Sequence, residues 1–155
     1  MPDQRFGDDL RLLGDLLKQN DRDRGSDLAL RRRPQTGQND LQTLSGADNL
    51  KQALLLRFLT PAGELEQLGH PAYGSRLYEL MGEPNNQTNR DRAKLFTLIA
   101  LQAEPRVEEI LSVEVTTNRR LDPTRIDIDV KLKVLDSDTP LNLVFPFFLQ
   151  GGETP

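Results

Sequence analysis

The chain has 155 residues, of which 36% are hydrophobic and 28% charged, and its net charge is −4 at neutral pH. This length fits one domain with a core of its own, and the acidic balance argues against a nucleic-acid-binding surface, which is expected to be basic. No apolar run reaches the ~18–20 residues of a membrane span, so membrane insertion is not expected. The N-terminus lacks the apolar stretch of a signal peptide, and we therefore expect synthesis in the cytoplasm.

The first forty residues differ from the rest and are predicted to form an N-terminal extension, residues 1–40. Leucines at helical spacing predict a short amphipathic helix from Leu10 to Leu17. Two short apolar segments, 27–30 and 40–44, predict the strands of a small hairpin. The triple-arginine run at 31–33 lies among aspartates without interleaved aromatic residues, which favours a solvated loop over a phosphate-binding patch.

A helical section follows, and its first helix is predicted to be buried on most sides. Ser45 and Asp48 are candidates for its N-terminal cap. Large apolar residues recur every four positions from Leu50 to Phe58, as on the packing face of a helix. Pro61 is expected to end this helix.

Two further helices are predicted before residue 105. Ser75 begins a short one, which Gly82 closes. The other begins with a capping box, Thr88-x-x-Asp91, and ends before Pro105, because proline disfavours a helical conformation in the preceding residue. The predicted packing face of this last helix consists of Leu95, Phe96, Ile99, Ala100 and Ala103.

From residue 111 onwards the hydrophobic period changes to two, which is typical of antiparallel strands with one buried face. Strands are predicted at 111–115, 126–134 and 141–149. Helices followed by strands indicate an α+β fold, with three helices packed on a C-terminal three-stranded antiparallel sheet. We expect a main domain at residues 41–150 and a short tail at 151–155.

The residue types that enzymes use most often are scarce. There is no cysteine and only one histidine, His70, which excludes thiolate chemistry, cysteine or paired-histidine zinc sites and redundant catalytic triads. No cofactor or metal is expected, and the glycines form neither a dinucleotide fingerprint nor a P-loop. The enzyme class left open is a glycosidase with two paired carboxylates, one of them with a raised pKa. The candidate carboxylates are Glu64, Glu79, Glu83 and Glu104.

The C-terminal strand is apolar on both faces. In an extended chain Phe145 and Phe147 point to one face, whereas Val144 and Phe148 point to the other. Pro146 has no N–H to donate and is tolerated at a sheet edge. Such an edge is an aggregation hazard unless something covers it. Either other parts of this chain cover the outer face, or a partner adds a strand there.

The Glu104-Pro105-Arg106 motif lies at the junction between the last helix and the first long strand. It is explained by a proline helix stop flanked by two solvated charges. Alternatively, Pro105 holds Glu104 and Arg106 rigidly for bidentate pairing with a partner. The residues alone leave both interpretations open.

Three stretches of the chain together resemble one protein family in their order and spacing. They are Leu-Arg-Phe-Leu-Thr-Pro-Ala-Gly-Glu at 56–64, His-Pro-Ala-Tyr-Gly-Ser-Arg-Leu at 70–77, and Glu-Pro-Arg at 104–106. They resemble the baseplate wedge, or sheath-initiator, family of contractile injection machines, whose best-known member is the product of gene twenty-five of T-even phage. The likeness covers residues 41 to 149, and residues 141–147 most resemble the members from extracellular contractile injection systems. Many relatives carry an acidic residue where this chain has Ala72.

The resemblance implies a small structural subunit of a phage-tail-like particle, with neither catalysis nor a cofactor. It implies that Glu104, Pro105 and Arg106 dock on a helical core bundle of larger wedge subunits. It also implies that a C-terminal strand accepts a strand from the first-ring sheath subunit and so starts sheath polymerisation, with six copies around the inner tube or hub. A regulatory adaptor protein is a further alternative. The predicted sheath-docking strand consists of Leu143, Val144, Phe145, Pro146, Phe147 and Phe148.

Overall fold

The computed structural model describes residues 6–12, 28–118 and 120–149. The chain divides into two compact units, an N-terminal unit of residues 1–53 and a C-terminal unit of residues 54–155. Their boundary falls within the first helix, α1 (Gly46–Leu59). Within the described ranges, no helix is both long and apolar enough to span a membrane. The divisions predicted at residues 40 and 150 stay predictions.

The N-terminal unit contains two small antiparallel strand pairs. Strand β1 (Asp8–Leu10) pairs with β4 (Thr43–Ser45), and β2 (Leu30–Arg32) pairs with β3 (Asn39–Leu41). The hairpin predicted from segments 27–30 and 40–44 overlaps β2 and β3. The pairing of β1 with β4 was not predicted, because strands of three residues show no readable period.

Two buried amides on α1 hold the backbone around β1. Asn49 donates from Nδ2 to the carbonyl oxygen of Phe6 at 3.0 Å. Gln52 donates to the carbonyl oxygen of Leu10 and accepts from the N–H of Leu12, both at 2.8 Å. These bonds fix an extended backbone where leucine spacing predicted a helix. That prediction is wrong for Leu10, and residues 13–17 lie outside the described residues.

The C-terminal unit contains a three-stranded antiparallel sheet in the order β5–β6–β7. The strands are β5 (Val107–Thr116), β6 (Arg125–Val134) and β7 (Leu141–Phe148), and the second helix, α2 (Gln87–Gln102), packs against β5. The inner face of the sheet is apolar, and the Phe58 and Phe145 rings lie 5.5 Å apart between centroids. The buried residues of β6 and β7 on this face are Ile126, Ile128, Val130, Leu132, Val134, Leu141, Leu143, Phe145 and Phe147.

The predicted arrangement of three helices on one three-stranded sheet is wrong. The described residues form two α-helices and three sheets of two, two and three strands, a mixed α and β fold. The segment predicted as a second helix contains only a 3₁₀ turn, Leu77–Leu80, and another such turn lies at Glu66–Leu68. Ser75 does not cap a helix because its backbone is engaged in a bridge to Pro61. The stretch before Gly82 is also too short for a stable helix.

The beginning and the packing face of α2 also differ from their prediction. Asn86 caps the helix by accepting from the N–H of Asn89 at 2.8 Å, so the helix begins before the predicted capping box. Asparagine is among the best N-cap residues, and it comes first along the chain. Phe96 and Ala100 are buried as predicted, but Leu95 and Ile99 are 53% and 50% exposed.

Candidate functional site

The chain that follows α1 folds back onto the last turn of that helix. Pro61 and Ser75 form a parallel bridge, and the Ser75 N–H donates to the carbonyl oxygen of Thr60 at 2.8 Å. The Ala62 N–H donates to the carbonyl oxygen of Ser75 at 2.9 Å. The Ser75 hydroxyl donates to the carbonyl oxygen of Phe58 at 2.8 Å. These bonds bring the 70–77 stretch beside the 56–64 stretch, although the two are separate in sequence.

Gly74 allows this close approach of two backbone segments. Its φ is +108°, which side chains rarely permit. A Cβ at this position would lie 2.6 Å from the carbonyl oxygen of Thr60 and 2.7 Å from that of Pro61. The glycine of the Tyr73-Gly74-Ser75 sequence is therefore explained by backbone packing.

Gly74→Ala should lower the free energy of unfolding more than Gly69→Ala does. Gly69 also has a positive φ, +86°, but a Cβ added there would have no other atom within 4 Å, so that variant reports backbone strain alone, about 1–2 kcal/mol. Gly74→Ala adds an overlap with two backbone oxygens. Chemical denaturation of the two purified variants measures the difference, and equal losses would contradict this role of Gly74.

All three sequence stretches contribute to one group of side chains, which we call the arginine cluster (Arg57, Tyr73, Glu104 and Arg106). Arg57 donates from Nη2 to Glu104 Oε2 at 3.2 Å, and Arg106 donates from Nε to Glu104 Oε1 at 2.6 Å. The Arg57 guanidinium carbon lies 4.6 Å from the centre of the Tyr73 ring, a distance typical of a cation–π contact. Glu104 is only 5% exposed and Arg57 only 8%.

The electrostatics of the arginine cluster favour an ionised carboxylate. Burial alone would raise the pKa of Glu104, but the hydrogen bonds and charge of Arg106, together with the charge of Arg57, outweigh it and hold the pKa below its usual value. Burial raises the pKa of Tyr73, which stays neutral. The cluster has two guanidinium groups and one carboxylate, so its net charge is +1. Arg57 Nε is buried and has no hydrogen-bond partner among the described residues.

The members of the Glu104-Pro105-Arg106 motif are not equally accessible. Glu104 is engaged within the cluster, whereas Pro105 is exposed and the Arg106 side chain is 30% exposed. The docking role of the motif stays a prediction. The residues of the motif that a partner could reach at the surface are Pro105 and Arg106. Sequence reasoning assigned no role to Arg57, and the available signal was a single charge within the otherwise apolar stretch 53–59 of α1.

Two of the four carboxylates considered for glycoside hydrolysis, Glu79 and Glu104, have a pKa that is shifted downward. Arg76 donates to both oxygens of Glu79, at 2.7 and 2.9 Å, and the hydrogen bond to Arg76 holds the pKa of Glu79 below its usual value. The pKa of Glu104 is likewise shifted downward. Glu64 and Glu83 are exposed. A general acid in this chemistry needs a raised pKa. The described residues also contain no group of three or more acidic or histidine side chains that could hold a metal.

The predicted sheath-docking strand lies in β7, at one edge of the sheet. Leu143, Phe145 and Phe147 are buried on the inner face, as their alternation predicts. On the outer face Val144 and Phe148 are half-buried, and Val144 lies opposite Asp129 of β6. Pro146 is buried despite its edge position. Addition of a partner strand here stays a prediction.

Among known proteins, similarity to this chain is found in a solved structure. No protein-family model matches the chain, and no curated protein matches it. The fold is similar to the crystal structure of a putative tail lysozyme from Geobacter sulfurreducens, with a TM-score of 0.59 and 27% sequence identity. The match covers 71% of this chain and 97% of the other. The chain thus shares its fold with a protein that is named for a tail.

Proposed function

We propose that this chain is a structural baseplate subunit of a contractile injection system and has no catalytic activity. The observation that carries the proposal is the fold match to a tail-named protein over nearly the whole of that protein's length. A second support is that the three stretches with family resemblance meet in the arginine cluster, although Arg57 and Glu104 are 47 positions apart. Side chains so far apart in sequence form this ion pair only when the chain is folded.

In this proposal Pro105 and Arg106 contact a helical core bundle formed by larger wedge subunits. Arg57 and Glu104 lie below the surface and do not contact the partner. Glu104 positions Arg106 by accepting a hydrogen bond from its Nε at 2.6 Å. A guanidinium held in this way loses less side-chain freedom on binding a carboxylate than a mobile one does. Six copies would surround the inner tube or hub.

The proposal also includes initiation of the sheath at β7. The strand lies at a sheet edge, and Val144 and Phe148 give its outer face apolar character. A strand of the first-ring sheath subunit would add to this edge through main-chain hydrogen bonds. The chain would be made in the cytoplasm and incorporated there into the growing particle.

A glycan-cleaving enzyme is the second candidate, favoured by the word lysozyme in the name of the structural neighbour. The depressed pKa values of Glu79 and Glu104 argue against it, because neither carboxyl can act as a general acid near neutral pH. We expect the purified protein to leave the turbidity of a peptidoglycan suspension unchanged. Glu64→Gln and Glu79→Gln should not alter this result. Clearing by the wild-type protein that either variant abolishes would establish the enzyme instead.

The proposed function is tested by isolating phage-tail-like particles from the cells that produce this chain. Mass spectrometry should find the chain in the particles at about six copies each, and deletion of its gene should leave particles without an ordered sheath in electron micrographs. A chain that is absent from the particles, or whose deletion leaves sheathed particles intact, would contradict the proposal. A stable one-to-one complex with one cellular protein outside any particle would indicate the adaptor alternative.

A further inference from the structure

The solvent-facing side of α2 carries a row of apolar residues that the described fold does not bury. Leu95, Ile99 and Ala103 follow one another at intervals of four and therefore lie along one side of the helix. Leu95 is 53% exposed, Ile99 is 50% exposed, and Ala103 is also exposed. The row is about 12 Å long, which corresponds to roughly two helical turns.

A small apolar cavity opens beside this row. Its volume is about 130 Å³, and its lining includes Ala62, Ala72, Phe96, Ile99 and Ala103. The cavity remains open because four of its lining residues are alanines, Ala100 being the fourth. A cavity of about 150 Å³ holds a benzene molecule, so this one has room for a single large apolar side chain.

The arginine cluster adjoins the cavity on one side. Ala72 and Ala103 of the cavity wall directly precede Tyr73 and Glu104 of the cluster, at the ~3.8 Å spacing of consecutive Cα atoms. The cluster has a net charge of +1, because two guanidinium groups share the Glu104 carboxylate. The group of side chains next to the cavity on this side thus carries an excess of positive charge.

A second group of arginines adjoins the cavity through Phe96. The guanidinium carbons of Arg76 and Arg92 lie 4.7 and 5.7 Å from the centre of the Phe96 ring. Both arginines pair with the same carboxylate, Glu79, at 2.7 and 3.9 Å. Two cations again share one anion, and Arg76 itself lines the cavity. Positive charge therefore flanks the apolar site through two separate arginine groups.

We propose that this surface, the α2 groove (Leu95, Ile99, Ala103 and the adjoining cavity), receives an acidic amphipathic helix of a partner subunit. The partner places one large apolar side chain in the cavity and an Asp or Glu one to two turns away on each side. The inference rests on the proposed function and specifies the chemistry of the wedge helix that meets Arg106. The exposed row at i, i+4 and i+8 offers a ridge of the kind that packs against another helix, and the arginine groups select an acidic one.

The position of the partner is tested with a photo-crosslinking amino acid, p-benzoylphenylalanine, at Ile99 in isolated particles. The control carries the same group at Lys94, an exposed position roughly 140° around α2 from Ile99. We expect Ile99 alone to crosslink to a helical segment of another subunit that has Asp or Glu on both sides of the crosslinked residue. A crosslink to a β-strand, to a second copy of this chain, or equally from Lys94 would overturn the α2 groove.

A pair of charge variants provides the quantitative test. Ile99→Glu should reduce the copies per particle at least about tenfold, because it buries an unpaired charge opposite an acidic partner. Lys94→Glu changes the net charge of the chain more than Ile99→Glu does, but it should be incorporated into particles at the wild-type copy number. Both should melt at the wild-type temperature because both positions are exposed. If particles contain both the wild-type chain and Ile99→Glu at normal copy number, the α2 groove is overturned but the proposed function is not. If particles lack the wild-type chain, the proposed function is overturned as well.

Discussion

Glu104→Ala is expected to destabilise the C-terminal unit by about 3–5 kcal/mol, since it leaves the buried Arg57 guanidinium without its carboxylate. Arg57 is only 8% exposed and cannot recover hydration without local unfolding. The loss is a large part of the ~5–15 kcal/mol that stabilises a typical domain. Urea denaturation of the purified protein measures it.

The matched control is Glu108→Ala, which removes a carboxylate from an exposed ion pair. Glu108 accepts from Lys133 at 2.9 Å, but both side chains are more than 40% exposed. Exposed pairs contribute about 0–1 kcal/mol, so this variant should remain close to wild type. If the two variants lose the same stability, Glu104 does not hold a buried charge and the arginine cluster is only a surface feature.

The same carboxyl gives the protein an acid-dependent stability. The pKa of Glu104 is lower in the folded chain than in the unfolded chain, where it lies near ~4.3. Its ionised form therefore contributes stability above that unfolded value, and the contribution is lost as the pH falls through the lower folded value. As the pH falls below ~4.3, the wild type should lose more stability than Glu104→Gln. Parallel pH profiles would contradict the depressed pKa.

The parts of the fold that could be predicted from sequence are those with a long period. The strand β6 alternates strictly, and the burial of Ile126 through Val134 follows that alternation. By contrast, β1 and β4 have only three residues each, and the backbone of Leu10 in β1 is held by the Gln52 amide, 42 positions away. The turn at 77–80 has apolar residues at helical spacing, but it is too short to continue as a helix.

The sequence pointed to the stretches that form the candidate site, but not to the contacts between their side chains. The sequence singled out the stretches containing Arg57, Tyr73 and Glu104 through their resemblance to a family. It could not show that Glu104 faces inward, because helix period says nothing about a residue after the last turn. The pairing of Arg57 with Glu104 depends on how α1 and the end of α2 pack together, which no local pattern encodes.

The two faces of β7 should respond in opposite ways to the same substitution. Phe145 is fully buried, with its ring centroid 5.5 Å from that of Phe58 and 6.3 Å from that of Phe147. Phe145→Lys should therefore unfold the isolated protein, because an unpaired buried charge costs several kcal/mol. Val144→Lys places the same charge on the outer face, opposite Asp129, where opposite charges across strands contribute about 0.2–1 kcal/mol. Circular dichroism and thermal melting compare the two variants.

In the particle, Val144→Lys is expected to separate baseplate assembly from sheath assembly. A lysine on an edge strand hinders the addition of another strand, while the arginine cluster and the α2 groove are unchanged. Electron micrographs should therefore show baseplates that contain the variant, some with a bare tube, but no ordered sheath. If Val144→Lys unfolds as readily as Phe145→Lys, the outer face of β7 belongs to the core. If the folded variant supports normal sheaths, β7 is not the strand from which the sheath begins.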